Sequence, residues 1–155
     1  MERELGAPAD RDAGAVVYGD RRVVVRAFPI SVDFEALDRV ARSPACEQWM
    51  TRLQQRYGLA GLLVAVGVDR LDYTKGIPER LRALRLLLDR RPHYRGRLVF
   101  VQKSAPSRTA IPAYRELQRQ VEAEIARIND RYGTARWRPV LHLPEPLPLE
   151  GMAAL

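Results

Sequence analysis

The sequence predicts an α/β fold built on a partial, doubly wound parallel sheet. Apolar runs of strand length at 61–69, 96–104 and 137–144 alternate with helical patterns at 77–91 and 110–133. The run at 61–69, "GLLVAVGVD", is continuously apolar, which marks a strand covered on both faces. Strands and helices alternating through short links imply right-handed crossovers between parallel neighbours. Three strands make about half of a usual sheet of ~5–6.

In chain order, residues 1–20 are polar, rich in Ala, Gly and Asp, and without sustained period, so they read as loop or frayed terminus. "RRVVVRAFPI" (21–30) is β-branched until Pro29 stops it, and reads as a strand. "SVDFEALDRVARS" (31–43) offers Ser31 or Asp33 as N-cap, with Phe34, Leu37, Val40 and Ala41 at helical spacing. Pro44 opens a second helix in which Trp49, Leu53 and Tyr57 fall four apart, and Gly58 ends it. After the 61–69 strand, Ile77, Leu81, Leu84 and Leu88 form one stripe over 77–91. Pro78 suits the first turn of that helix, where a missing N–H costs nothing. "GRLVFVQKS" (96–104) is the next strand. Ile111, Tyr114, Leu117, Val121, Ile125, Ile128 and Tyr132 set a long helix over 110–133. "WRPVLHLP" (137–144) is the third strand, and "PLEGMAAL" begins another helix.

Composition narrows the function. Apolar residues make up 46% and charged residues 29% of the 155, a globular balance. No run of 18 apolar residues is present, so no membrane span is expected. "MERELGAPADRDAGA" has no apolar core of a secretory signal. One cysteine, Cys46, permits no internal disulfide, reads as a small apolar packing residue, and points to a reducing, cytoplasmic setting. The net charge of +7 raises nucleic-acid binding, but the arginines are scattered and not interleaved with aromatics, so none is expected. There is no G-x-G-x-x-G, P-loop or H-E-x-x-H, and His93 and His142 stand alone, so no metal site is expected.

Only two lysines, Lys75 and Lys103, stand beside 24 arginines, and both lie at or just past strand ends. Ligands of parallel α/β sheets bind beyond the carboxyl ends of the strands. The loops at 69–77 and 103–109 are therefore the places for chemistry. In "DRLDYTKG", Arg70 offers a planar fork of donors and Lys75 a compact charge. Gly76 lets the backbone approach closely, and the helix start behind it adds free N–H groups and a positive dipole end. These features can hold a diphosphate. The residues leave a second reading open, in which Arg70 and Lys75 pair with Asp69 and Asp72 as surface ion pairs worth under ~1 kcal/mol. In "KSAPSRTAIP", Ser107 and Thr109 can cap the next helix and Arg108 sits at the junction, either solvated or functional.

"VGVDRLDYTKGIPERL", "VQKSAPSRTAIPAYREL", "RINDRYG" and the W-x-P-V pattern together resemble the trehalose-6-phosphate synthase family, and "AFPISVDF" resembles that family's inter-domain passage. The resemblance covers residue 23 onward. It implies a retaining glycosyltransferase of the GT-B arrangement, with two Rossmann-like domains. This chain would supply the last strand of the N-terminal domain (1–30), linker helices (31–58) and the first half of the nucleotide-sugar-binding domain (59–155). The implied reaction transfers glucose from UDP-glucose to glucose 6-phosphate, giving α,α-trehalose 6-phosphate, with the fragment inactive alone. A relative using another acceptor, such as glycerol 3-phosphate, and a noncatalytic remnant are the alternatives. Arg70, Lys75 and Gly76 would bind the donor diphosphate, and Arg108 the acceptor phosphate. No metal or other cofactor would be needed, and a homo-oligomer is possible at full length. Lys103 receives no role from the resemblance.

Overall fold

In the computed structural model the described residues are 6, 8–105 and 110–155. They divide into two compact units, 1–34 and 35–155.

The first unit is a three-stranded antiparallel sheet of β1 (Ala9–Asp10), β2 (Ala15–Tyr18) and β3 (Arg21–Val24), in that order. This corrects the reading of 1–20 as loop. The strands are only two and four residues long, too short to set up a visible period. Their turns carry the signal instead. Asp10 Oδ1 accepts from the Ala13 N–H at 2.9 Å, and Gly19 with Asp20 closes a two-residue hairpin between Tyr18 and Arg21. The strand expected over 21–30 stops at Val24. The following segment carries Phe28 and Ile30 at 87% and 99% exposure.

Directly after Asp33 comes α1 (Phe34–Ala41), all but its first residue in the second unit, followed by α2 (Pro44–Tyr57). Ser43 caps α2 by accepting from the Cys46 N–H at 3.2 Å, and Gly58 ends it in the left-handed region (φ 62°). The apolar spacing of α1 is helical as expected, yet none of its residues is buried. Cys46 and Leu53 of α2 are buried.

Next come β4 (Leu63–Arg70), α3 (Ile77–Arg90), β5 (Leu98–Ala105), α4 (Pro112–Tyr132), β6 (Val140–Leu143) and α5 (Leu149–Ala153). The sheet is parallel with order β4-β5-β6. The α/β expectation holds, as half a sheet whose strand order runs one way. The crossover helices α3 and α4 pack on each other, and Ile77, Leu81, Leu88, Val121 and Ile128 form the core with Phe100. Leu53 of α2, and Ala154 just after α5, approach the opposite face at Val64, Val66 and Val101.

One expectation fails. Only β5 is buried along its length; β4, expected to be covered on both faces, leaves Leu63, Val64, Val66 and Val68 at 39–52% exposure. Among the described residues β4 pairs only with β5 and is an edge. Its continuous apolar run follows from strand composition, whereas its exposure follows from its place at the edge of the sheet among the described residues.

Candidate functional site

The register sets the site. Arg70, the last residue of β4, lies opposite Ala105, the last of β5, so the loops after both strands open on one edge. Beyond Arg70 the chain makes a 3-10 turn over Tyr73–Lys75 and enters α3 through Gly76. Gly76 has φ 61°, a conformation that residues with a Cβ rarely adopt, and among the described residues no side chain caps α3. The helix start is thus left with free N–H groups and its positive dipole end beside Lys75.

The acidic residues of this loop are engaged away from its cations. Asp69 Oδ2 accepts from Arg80 Nη1 at 2.8 Å, and the same nitrogen donates to Gln102 Oε1 at 3.2 Å on the fully buried Gln102. This contact passes over Gly67, where a Cβ would stand 2.5 Å from Arg80 Nη1 and 2.9 Å from Phe100 Cζ. Asp72, 8% exposed, accepts from the Thr74 N–H at 3.0 Å, from Thr74 Oγ1 at 2.9 Å and from the Tyr114 hydroxyl at 3.3 Å. Tyr73 adds an edge-on contact to Tyr114, with ring centroids 5.8 Å apart. The turn is therefore pinned to α4 at two points. Among the described residues, Arg70 and Lys75 enter none of the ion pairs.

Arg70 and Lys75 line one cavity of about 380 Å³ together with Val68, Asp69, Lys103, Ala105 and Met152. A larger cavity of about 630 Å³ surrounds Trp137, Arg136 and Arg138 and does not reach the strand-end cations. The walls of the smaller one present three cations and one carboxylate already paired to Arg80. Ser107, Arg108 and Thr109 lie outside the described residues.

Sequence reading missed Arg80, Gln102 and the hydroxyl of Tyr114, and it named Met152 only within a helix start. Arg80 and Tyr114 sit 11 and 42 residues from the carboxylates they reach, beyond any local spacing rule. Next to the site, Ser104 Oγ lies 2.7 Å from His142 Nε2. Burial holds the His142 pKa below its usual value, and Lys103 contributes in the same direction, while Glu122 and Glu145 act against it. Among the described residues no group of three or more His, Cys, Asp and Glu is arranged to hold a metal ion, and no helix is long and apolar enough to cross a membrane.

The profile of glycosyltransferase family 20 matches residues 1–155. The chain belongs to glycosyltransferase family 20. Among its family 20 relatives, a bifunctional trehalose-6-phosphate synthase/phosphatase of Thermoproteus tenax is 39% identical over 144 residues, covering 93% of this chain and 19% of that protein. An α,α-trehalose-phosphate synthase (UDP-forming) of Pichia angusta is 37% identical over 125 residues, covering 81% of this chain and 26% of that protein. Of the solved family structures, a UDP-forming trehalose-phosphate synthase of Burkholderia xenovorans in complex with glucose 6-phosphate superposes with TM-score 0.89 at 28% identity. That match covers 97% of this chain and 33% of the other. An E. coli structure bound with UDP-2-fluoro glucose gives TM-score 0.84 at 25% identity, covering 94% of this chain and 32% of the other. The partial parallel sheet is thus a piece of the trehalose-phosphate synthase architecture. The chain spans about a fifth to a quarter of these two curated relatives and about a third of these two structures.

Proposed function

We propose that this chain is part of a retaining, UDP-glucose-dependent glycosyltransferase of the GT-B arrangement, which forms α,α-trehalose 6-phosphate from glucose 6-phosphate in the cytoplasm. The observation that carries the reading is the pair Arg70 and Lys75, free of ion pairs among the described residues and lining one cavity at the carboxyl edge of a parallel sheet. In this reading residues 1–30 close the N-terminal domain, 31–58 link the domains, and 59–155 begin the donor domain.

The chemistry follows from charge. Cleaving the bond between sugar and diphosphate builds negative charge on the departing oxygen. Arg70, Lys75 and the free N–H groups behind Gly76 meet that charge and stabilise the transition state more than the ground state. These cations do the work a divalent metal does elsewhere, so no metal is required. Arg108 holds the acceptor through its phosphate and brings the attacking hydroxyl into range. The ligands bound in the Burkholderia and E. coli structures, glucose 6-phosphate and UDP-2-fluoro glucose, support this assignment of substrates.

The test uses the protein at its full natural length, with UDP titrated into the wild type and into Arg70→Ala/Lys75→Ala. Losing two charged hydrogen bonds of roughly 1.5–3 kcal/mol each predicts a fall in UDP affinity of about 10²–10⁴-fold. Equal affinity in both proteins removes the donor site from this loop. A noncatalytic module is the second reading; the N-terminal domain of a Candida albicans protein named for another activity, trehalose-6-phosphate phosphatase, superposes with TM-score 0.83 at 30% identity. That reading predicts no trehalose 6-phosphate from UDP-glucose and glucose 6-phosphate, with or without UDP binding.

A further inference from the structure

Lys103 is one of only two lysines, and the donor site proposed above assigns it no role. It lies in β5, the central strand, opposite Val68 of β4 and Leu143 of β6, and is 4% exposed. Side chains alternate along a strand, so Gln102 and Ser104 face one side while Val101, Lys103 and Ala105 face the other. Lys103 lines the cavity that Arg70 and Lys75 also line. Among the described residues its ammonium enters no ion pair and makes no side-chain hydrogen bond, and the one carboxylate of the cavity, Asp69, is paired with Arg80.

The stem of Lys103 is buried, while its ammonium, which is not among the buried polar atoms left without a partner, opens on the cavity, where an anion can replace the water that meets its charge. The sheet itself asks for an apolar residue here, as at Val68 opposite. Geometry supplies a partner. Arg70 stands two residues further along the sheet than the Val68–Lys103 pair, on the same face. With strands ~4.8 Å apart and a rise of ~3.3 Å per residue, the two Cα atoms are about 8 Å apart. Both side chains are long enough for their heads to converge on one anion between them.

We propose that Lys103 is a third anion-holding residue of the donor site, reaching a phosphate oxygen of the nucleoside diphosphate from the cavity floor while Arg70 and Lys75 close on it from the rim. The proposal rests on the donor-site reading above. It adds a specificity element: a group with a second phosphate engages the floor, and a ligand lacking it does not.

The experiment measures UDP affinity by calorimetry, over a series of salt concentrations, for the full-length protein as wild type, Lys103→Met, Lys103→Arg and Arg70→Ala/Lys75→Ala. Ligand-free melting temperatures are recorded alongside. Lys103→Met keeps the volume and removes the charge. It is expected to weaken UDP about 10–100-fold and flatten the salt dependence, with a melting temperature at or above wild type. Lys103→Arg, which retains the charge, is expected to recover most of the affinity and the wild-type salt slope. If Lys103→Met binds UDP like wild type while the Arg70/Lys75 variant does not, this proposal fails and the donor site stands. If neither variant loses affinity, both fail. Weakened binding with an unchanged salt slope, or a Lys103→Met protein that no longer folds while Lys103→Arg binds with an altered slope, assigns Lys103 to packing and also overturns the proposal.

Discussion

Gly67 leaves the space through which Arg80 reaches Asp69. A methyl group there would stand 2.5 Å from Arg80 Nη1, 2.9 Å from Phe100 Cζ and 3.0 Å from Gln102 Oε1, so Gly67→Ala must displace the Arg80 side chain or the Phe100 ring. Overpacking of this kind costs about 1–3 kcal/mol, and urea unfolding of the variant should show a loss of that size. Arg80→Met probes the electrostatic half of the arrangement. It leaves the Asp69 carboxylate without its partner in a cavity lined by Arg70, Lys75 and Lys103, and the carboxylate then competes with any bound anion. UDP affinity should fall several-fold in Arg80→Met and return in Arg80→Met/Asp69→Asn; calorimetry that finds no such recovery refutes the role given to Arg80. These partners were illegible in the sequence for a physical reason. Spacing rules read neighbours within about a turn, whereas Arg80 and Tyr114 come to the loop by folding. What spacing could do was place Arg70 and Lys75 just past a strand end and leave their pairing open.

At the level of elements, the helices and parallel strands were legible because apolar period and end signals agree. Gly58 and Pro44 bound α2 as read, and Pro78 sits in the first turn of α3. β1 and β2 were not, since strands of two and four residues have no period and declare themselves only through turns such as Gly19-Asp20. The pairing of β5 with β6 carries a pH dependence. His142 on β6 bonds Ser104 on β5, and burial depresses its pKa. The unfolded chain titrates this imidazole near ~6.5, so below that pH it takes up a proton that the folded chain does not. The contribution is present in full above pH ~6.5 and is lost as pH falls, by at most about 1.4 kcal/mol per pH unit, until the folded state also protonates. The urea midpoint of the wild type should therefore drop between pH 7.5 and pH 5.5 by more than that of His142→Gln. Equal drops would show that titration of the buried His142 is not the source.

For the whole molecule, the decisive feature is the free edge of β4. Its apolar run told of a strand covered on both sides, and among the described residues the covering is only partial: Leu63, Val64, Val66 and Val68 stay 39–52% exposed beside a row of unpaired backbone groups. An exposed, apolar strand edge pairs with whatever edge it meets. The 155-residue chain produced by itself should therefore self-associate, with a sedimentation coefficient that rises with concentration. Val66→Lys, which sets a charge on that surface, should shift it towards the monomer without lowering its melting temperature. The same chain should form no trehalose 6-phosphate from UDP-glucose and glucose 6-phosphate, because Arg70 and Lys75 are exposed in this unit and charged contacts open to water lose most of their strength. A monomeric 155-residue chain that turns over substrate would refute both halves of this argument. A chain that associates but binds UDP through Arg70, Lys75 and Lys103 would separate them, leaving the phosphate site as a property of the half-sheet and the reaction as a property of the longer protein.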